Sequence, residues 1–272
     1  MTNTRKQQKQ EGFTLIETMV AMAVFLVICG AIFGLLNVSQ QRYKTESQVL
    51  SSFQDARLAL DQIVRDANDS GYPTLGNFSA AVPLPGLGGF AEYTNTPIAW
   101  NPGYVAGNPC LIGTAGGGTC TTPGDFDVIF EENTDNTNVK WIRYQLVGTT
   151  LKRGVANKTA GLSANAGTSL AGVMVPYVSN VMNNAPAAQI AQYRAAYPAM
   201  FPGGTPQPIF QYSCDTNTGP VLCQNAGASN SPVNIRDVEI TLIVATLEND
   251  AQTRVPRLVE LNGRGHRVNP NK

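Results

Sequence analysis

Apolar residues follow three regimes along this chain. From Phe13 to Leu36 almost every position is apolar. From Val49 to Ala67 apolar residues recur every three or four positions, as Val49, Leu50, Phe53, Ala56, Leu60, Ile63, Val64 and Ala67. Beyond Asp125 they alternate with polar ones. The first two regimes predict one helix from about Thr14 to about Asn68, apolar all round in its first half and striped in its second. At about 1.5 Å per residue the first half is long enough to cross a hydrocarbon layer of roughly 30 Å. The stripe needs a partner surface. Ser70, Gly71 and Pro73 stop the helix.

The third regime predicts antiparallel strands. DFDVIFEE (125–132), KWIRYQLVG (140–148) and TLKRGVA (150–156) alternate and are rich in β-formers, with a turn at Gly148. Gly172–Val178 is a further strand candidate, and AAQIAQYRAAY (187–197) a short helix. NIRDVEITLIVAT and TRVPRLVELNG supply the last two strands. Two stretches rich in Gly, Pro and Asn, at about 73–124 and 179–233, read as long insertions.

One acid, Glu17, stands in the apolar run, and Arg5, Lys6 and Lys9 precede it. A carboxylate at the centre of a membrane span costs roughly 2.5–3.5 kcal/mol, so it calls for a partner. A secretory signal places its cleavage site after the apolar run; here the glycine of GFTLIE precedes it. GFTLIE resembles the processing site of the type IV pilin family. The resemblance implies cleavage after Gly12 by a prepilin peptidase and methylation of the new amine on Phe13. It also implies that Glu17 pairs with such an amine, its own or a neighbour's, during assembly. Glu17 stands four residues from Phe13, about one helical turn. The stretch ARLALDQIVRDANDSGYP resembles the corresponding segment of PilW-type minor pilins and of J-type minor pseudopilins of type II secretion.

Composition narrows the alternatives. The chain has 272 residues and no net formal charge, with 14% charged residues. Neutrality and the lack of a long basic run argue against a nucleic-acid binder. The single histidine, His266, weakens any case for a Ser/His/Asp site or a histidine metal site. Cys29 lies in the apolar run, where a thiol acts as a small apolar residue. Pairing by proximity gives Cys110–Cys120 and Cys214–Cys223 as local disulfides, with four free thiols as the alternative. Neither spacing suits zinc. Asp215 and Asn217, followed by Gly219, form a weak calcium candidate, for which a turn is the favoured reading.

The expected fold is α+β and pilin-like: one long N-terminal helix packed on an antiparallel β-sheet with long loop insertions. Its parts are a cytoplasmic leader (1–12), a transmembrane and assembly helix (13–36), an amphipathic continuation (37–70) and a β-rich headpiece (71–272). The expected role is a minor pilin that helps initiate assembly at the pilus tip. A minor pseudopilin, a pilus-borne adhesin or a DNA-capture module are the alternatives, and a tethered enzyme is the weakest. Expected partners are other minor and major pilins or pseudopilins, the prepilin peptidase and methyltransferase, the inner membrane and its assembly platform. No cofactor, catalytic residue or nucleic acid is expected. The expected location is the inner membrane, with the N-terminus cytoplasmic, before assembly, and the periplasm or a cell-surface pilus afterwards.

Overall fold

The computed structural model describes residues 12, 14–71, 98–99, 112, 120, 122–132, 139–157, 170–227, 230, 232–250 and 253–267. The chain divides into two compact units, 1–47 and 48–272. Helix α1 runs from Leu15 to Asp69, as the apolar pattern predicts. In the first unit its apolar side chains are open: Phe25, Leu26, Val27, Phe33 and Leu35 are all exposed.

In the second unit the same helix is half covered. Ala56, Ala59, Leu60, Ile63 and Ala67 are buried, at the spacing of one helical face. Val49 and Phe53 are half-buried, but Leu50 is exposed, so the covered stripe begins later than the sequence pattern suggests. Ser70 Oγ donates to the Ala67 carbonyl at 2.7 Å. Gly71 then takes a left-handed φ of 82° that suits glycine, and its N–H donates to the Glu131 carbonyl at 2.9 Å. Helix end and sheet are thus joined directly.

Among the described residues the strands form two antiparallel sheets, where one was expected. The first is a meander of β1 (Ile98–Ala99), β2 (Asp127–Glu132), β3 (Lys140–Val147), β4 (Thr150–Asn157) and β5 (Val175–Val178). The second contains β6 (Phe210–Thr216), β7 (Gly219–Leu222), β8 (Ile235–Asn249) and β9 (Pro256–His266), in the order β7-β6-β8-β9. The two meet at a seam. Past β5, Asn180 adopts a positive φ of 58°, and the chain crosses to β8. There Met182 N–H donates to the Ile243 carbonyl at 2.7 Å, and Ala245 N–H to the Asn180 carbonyl at 2.9 Å.

The stretch 179–233 is therefore not simply an insertion. It holds α2 (Ala187–Ala196), and it holds β6 between β7 and β8. Strand β6 turns Phe210, Tyr212 and Cys214 inward and leaves Gln211 outward. Its alternation is short and hemmed by Pro208 and the turn at 217–218, which hides it in the sequence. Helix α2 covers the other face of the second sheet through Ile190 and Tyr193, in a cluster with Phe201, Ile243 and Leu258.

One core joins both sheets to α1. It includes Ile63, Phe130, Ile142, Tyr144, Phe210 and Leu242. The helix lies closest to β9, at two glycines. A Cβ built on Gly263 would stand 2.9 Å from Leu60 Cδ1 and from Val64 Cγ2, and one on Gly265 would collide with Ala67 Cβ. Only glycine leaves room for the helix at these positions.

Candidate functional site

The N-terminal segment folds back on itself at the start of α1. Thr14 N–H donates to Glu17 Oε2 at 2.9 Å, and the Thr14 hydroxyl donates to the same oxygen at 2.9 Å. In return Glu17 N–H donates to Thr14 Oγ1 at 3.3 Å. This reciprocal pair is a capping box, with Thr14 as cap and Glu17 three positions on. It satisfies backbone donors that the first turn of a helix leaves unpaired. It also draws the carboxylate toward the residue that follows Phe13 in the chain. An acid at this end is favoured by the helix dipole as well. Gly12 is exposed, with nothing near the place a Cβ would occupy. Phe13 lies outside the described residues.

Behind this cap the helix offers an apolar surface that is exposed among the described residues. An 18-residue window of α1 has a mean hydropathy of 2.8, and none of it is buried. Gly30 and Gly34 are open on this surface. Cys29 is a free cysteine within it.

The comparisons bear on this same segment. Residues 7–33 match the family model described as a prokaryotic N-terminal methylation motif. The chain carries a type IV prepilin-like signal. That signal supports a type IV pilin or pseudopilin in general, a structural family and not an enzyme family. It implies processing by a prepilin peptidase and assembly with other pilins. With the apolar helix it points to membrane anchoring. No curated protein and no solved structure matches the chain.

The headpiece holds the second half of α1 by polar as well as apolar contacts, and the key residue was not foreseen. Asp66 falls among the polar positions of the sequence pattern, yet only 3% of it is exposed. Its Oδ1 accepts from Gln62 Nε2 at 2.6 Å. Its Oδ2 accepts from the Tyr144 hydroxyl at 2.6 Å and from Arg153 Nη2 at 3.0 Å. Arg153 Nε donates in turn to the Tyr144 hydroxyl at 2.9 Å. Burial, followed by the neighbouring Asp66 charge, raises the Tyr144 phenol far above its ordinary value. Tyr144 therefore stays a neutral donor to Asp66 across the physiological range. One helix residue thereby ties α1 to β3 and β4. The sequence does carry a signal: Asp66 stands three positions after Ile63, next to the apolar face.

A second polar contact fixes the helix end to the other sheet. His266 N–H donates to Asn68 Oδ1 at 2.7 Å. Asp237 on β8, whose side chain is 1% exposed, pairs with Arg264 at 2.7 Å and with His266 Nδ1 at 2.5 Å. Burial raises its carboxyl, but the hydrogen bonds from Arg264 and His266 outweigh this and hold it below the ordinary carboxylate value. The lone histidine is thus placed as a structural contact of β9.

The remaining predicted residues lie apart from the N-terminal segment. Cys214 and Cys223 form a disulfide, linking β6 to the turn after β7. Cys120 is buried; Cys110 lies outside the described residues, and its pairing with Cys120 stays a proposal. Asp215 and Asn217 stand at a tight hairpin, where Thr216 pairs with Gly219. Asp215 Oδ1 takes Arg236 Nη1 at 3.3 Å, and Thr216 Oγ1 donates to the Gly219 carbonyl at 2.6 Å. Turn formation accounts for these residue types.

Proposed function

We propose that this protein is a minor, PilW-like type IV pilin subunit that sits at or near the filament tip and helps initiate assembly. The observation that carries the reading is the match to the methylation motif at residues 7–33, which takes in the start of a helix whose apolar half is exposed among the described residues. In this reading residues 1–12 are a cytoplasmic leader, consistent with Arg5, Lys6 and Lys9 before the span. The peptidase cuts after Gly12, and the Phe13 amine is methylated but keeps its charge. Glu17, already turned toward that end of the helix, then neutralises this amine or that of a neighbouring subunit. Residues 13–36 span the inner membrane and later serve assembly. Residues 71–272 lie outside it.

The low-copy placement is supported by bulk. The chain beyond the helix exceeds 200 residues and builds two sheets with a covering helix. In a helical shaft every headpiece has neighbours above and below; at a tip nothing lies above. The resemblance of residues 56–73 to PilW-type and J-type subunits keeps a minor pseudopilin of type II secretion as the second reading.

Deleting the gene tests both readings. The expected result is a sharp loss of filaments while major pilin still accumulates in the membrane. Loss of protein secretion with filaments intact favours the pseudopilin. Antibody label spread evenly along the shaft, at the density of the major subunit, refutes the tip placement.

A further inference from the structure

From Thr18 to Gln41 the chain carries no charged residue. The apolar run grades into polarity instead of stopping. Past Leu36 come Asn37, Ser39, Gln40 and Gln41, polar but uncharged, and then Arg42, Tyr43 and Lys44 together. Helix α1 passes through all of them without a break. Tyr43 is 75% exposed, and Arg42 and Lys44 are exposed beside it. The three lie in the first compact unit, which ends at Ser47, so the fold of the second unit does not account for them.

An unbroken helix fixes how far these residues stand from the apolar run. Arg42 is six residues past Leu36, about 9 Å along the axis. The headgroup layer on each side of a hydrocarbon core is about 5–7 Å thick. The Arg42 backbone therefore stands just beyond that layer when Leu36 lies at the edge of the core. Helical side chains lean toward the N-terminus, which here is back toward the apolar run. The long stems of Arg42 and Lys44 thus carry their charges into the headgroup layer. Tyrosine, with an apolar ring and a polar tip, suits the same layer.

We propose that Arg42, Tyr43 and Lys44 form a collar that binds the phosphates of phospholipid headgroups on the periplasmic side of the inner membrane. The inference rests on the membrane anchoring proposed above. Two observations select this occupant. The collar continues an apolar helix surface that is exposed along its length, and both its charges are opposite to that of a phosphate diester. Orientation is consistent with it: Arg5, Lys6 and Lys9 precede the run and only Arg42 and Lys44 closely follow it, so the cytoplasmic side keeps the excess of cations. The collar is not a pocket for one lipid. At 3.6 residues per turn Arg42 and Lys44 point about 200° apart, so each meets a different headgroup. What is recognised is the phosphate that phospholipids share.

Two measurements on the full-length chain in vesicles of phosphatidylethanolamine and phosphatidylglycerol test this. In the first, solid-state NMR reads the proximity of side-chain nitrogen to lipid phosphorus. The Arg42 guanidinium and Lys44 ammonium signals are identified as those lost in Arg42→Gln and Lys44→Gln. Each is expected to lose about half its intensity or more to phosphorus dephasing, as direct hydrogen bonds to phosphate require. Full intensity for both overturns the proposal. In the second, a benzophenone amino acid replaces Phe33, Tyr43 or Leu50, all exposed. Lipid adducts are expected from positions 33 and 43. Position 50, about 10 Å further along the helix than 43, is expected to give none. Adducts from position 43 to protein alone, or to nothing, overturn the collar. If position 33 gives lipid adducts and position 43 does not, the collar alone fails. If position 33 gives none either, the membrane anchoring fails with it.

Discussion

The two halves of α1 share a helix and an apolar character but meet opposite surroundings. Ile28, Phe33 and Leu35 are exposed, whereas Ile63 and Ala67 are buried against strands. The first half is apolar on every side, so no folded neighbour in the chain is needed for it to be stable in lipid. The second half is apolar on one side only, and its strands supply the complement. The difference separates two parts of one uninterrupted helix: an exposed apolar half that suits membrane anchoring, and a striped half that holds a headpiece.

The comparison is broken most completely at its start. Gly12→Leu is expected to abolish maturation, because a side chain there obstructs the backbone approach that proteolysis needs. N-terminal sequencing of the membrane fraction checks this; recovery of a product beginning at Phe13 contradicts it. Glu17→Val should come next. Cleavage proceeds, since valine is at home in lipid, but recovery with partner subunits falls by about an order of magnitude. A cleaved variant that co-purifies normally removes Glu17 from assembly.

The remaining two predictions concern the covered half. Ile63→Ala is expected to cost about 2–5 kcal/mol in headpiece stability, the range for a buried large-to-small change. Ile28→Ala should leave that stability within about 0.5 kcal/mol, as for a site outside the fold's core. Denaturant titration of the detergent-solubilised full chain compares them, and equal effects erase the distinction between the halves. Gly265→Ala is smaller, at about 1–3 kcal/mol from overpacking against Ala67. Gly263→Ala should cost less still, because Leu60 and Val64 meet it with side-chain ends that can turn. The reverse order in the same titration shows that the helix does not sit on β9 as described.

Periodicity made much of this legible. The helix boundaries, the strands at 127–157 and the last hairpin followed from it, because each repeats a simple pattern over many residues. The motif around Gly12 and Glu17 was legible for another reason: a lone acid in an apolar run has few physical explanations. Three things escaped. Strand β6 is short, and its turn residues resemble a loop. Asp66 counts as polar in any pattern, and only the fold reveals Tyr144 and Arg153 beside it. The division into two sheets depends on the kink at Asn180, one residue with no strong local signal.

The contact between α1 and β9 has a mechanical side. Leu60 and Val64 lie over Gly263, Ala67 over Gly265, and Asn68 beside His266, so helix and strand advance in the same direction. A pull on the helix along its axis therefore loads the seam in shear. Its steric contacts on the two glycines and the Asn68 hydrogen bond must yield together. A pull across the axis would peel them one at a time. The headpiece therefore grips its helix better against load along the axis than against load across it.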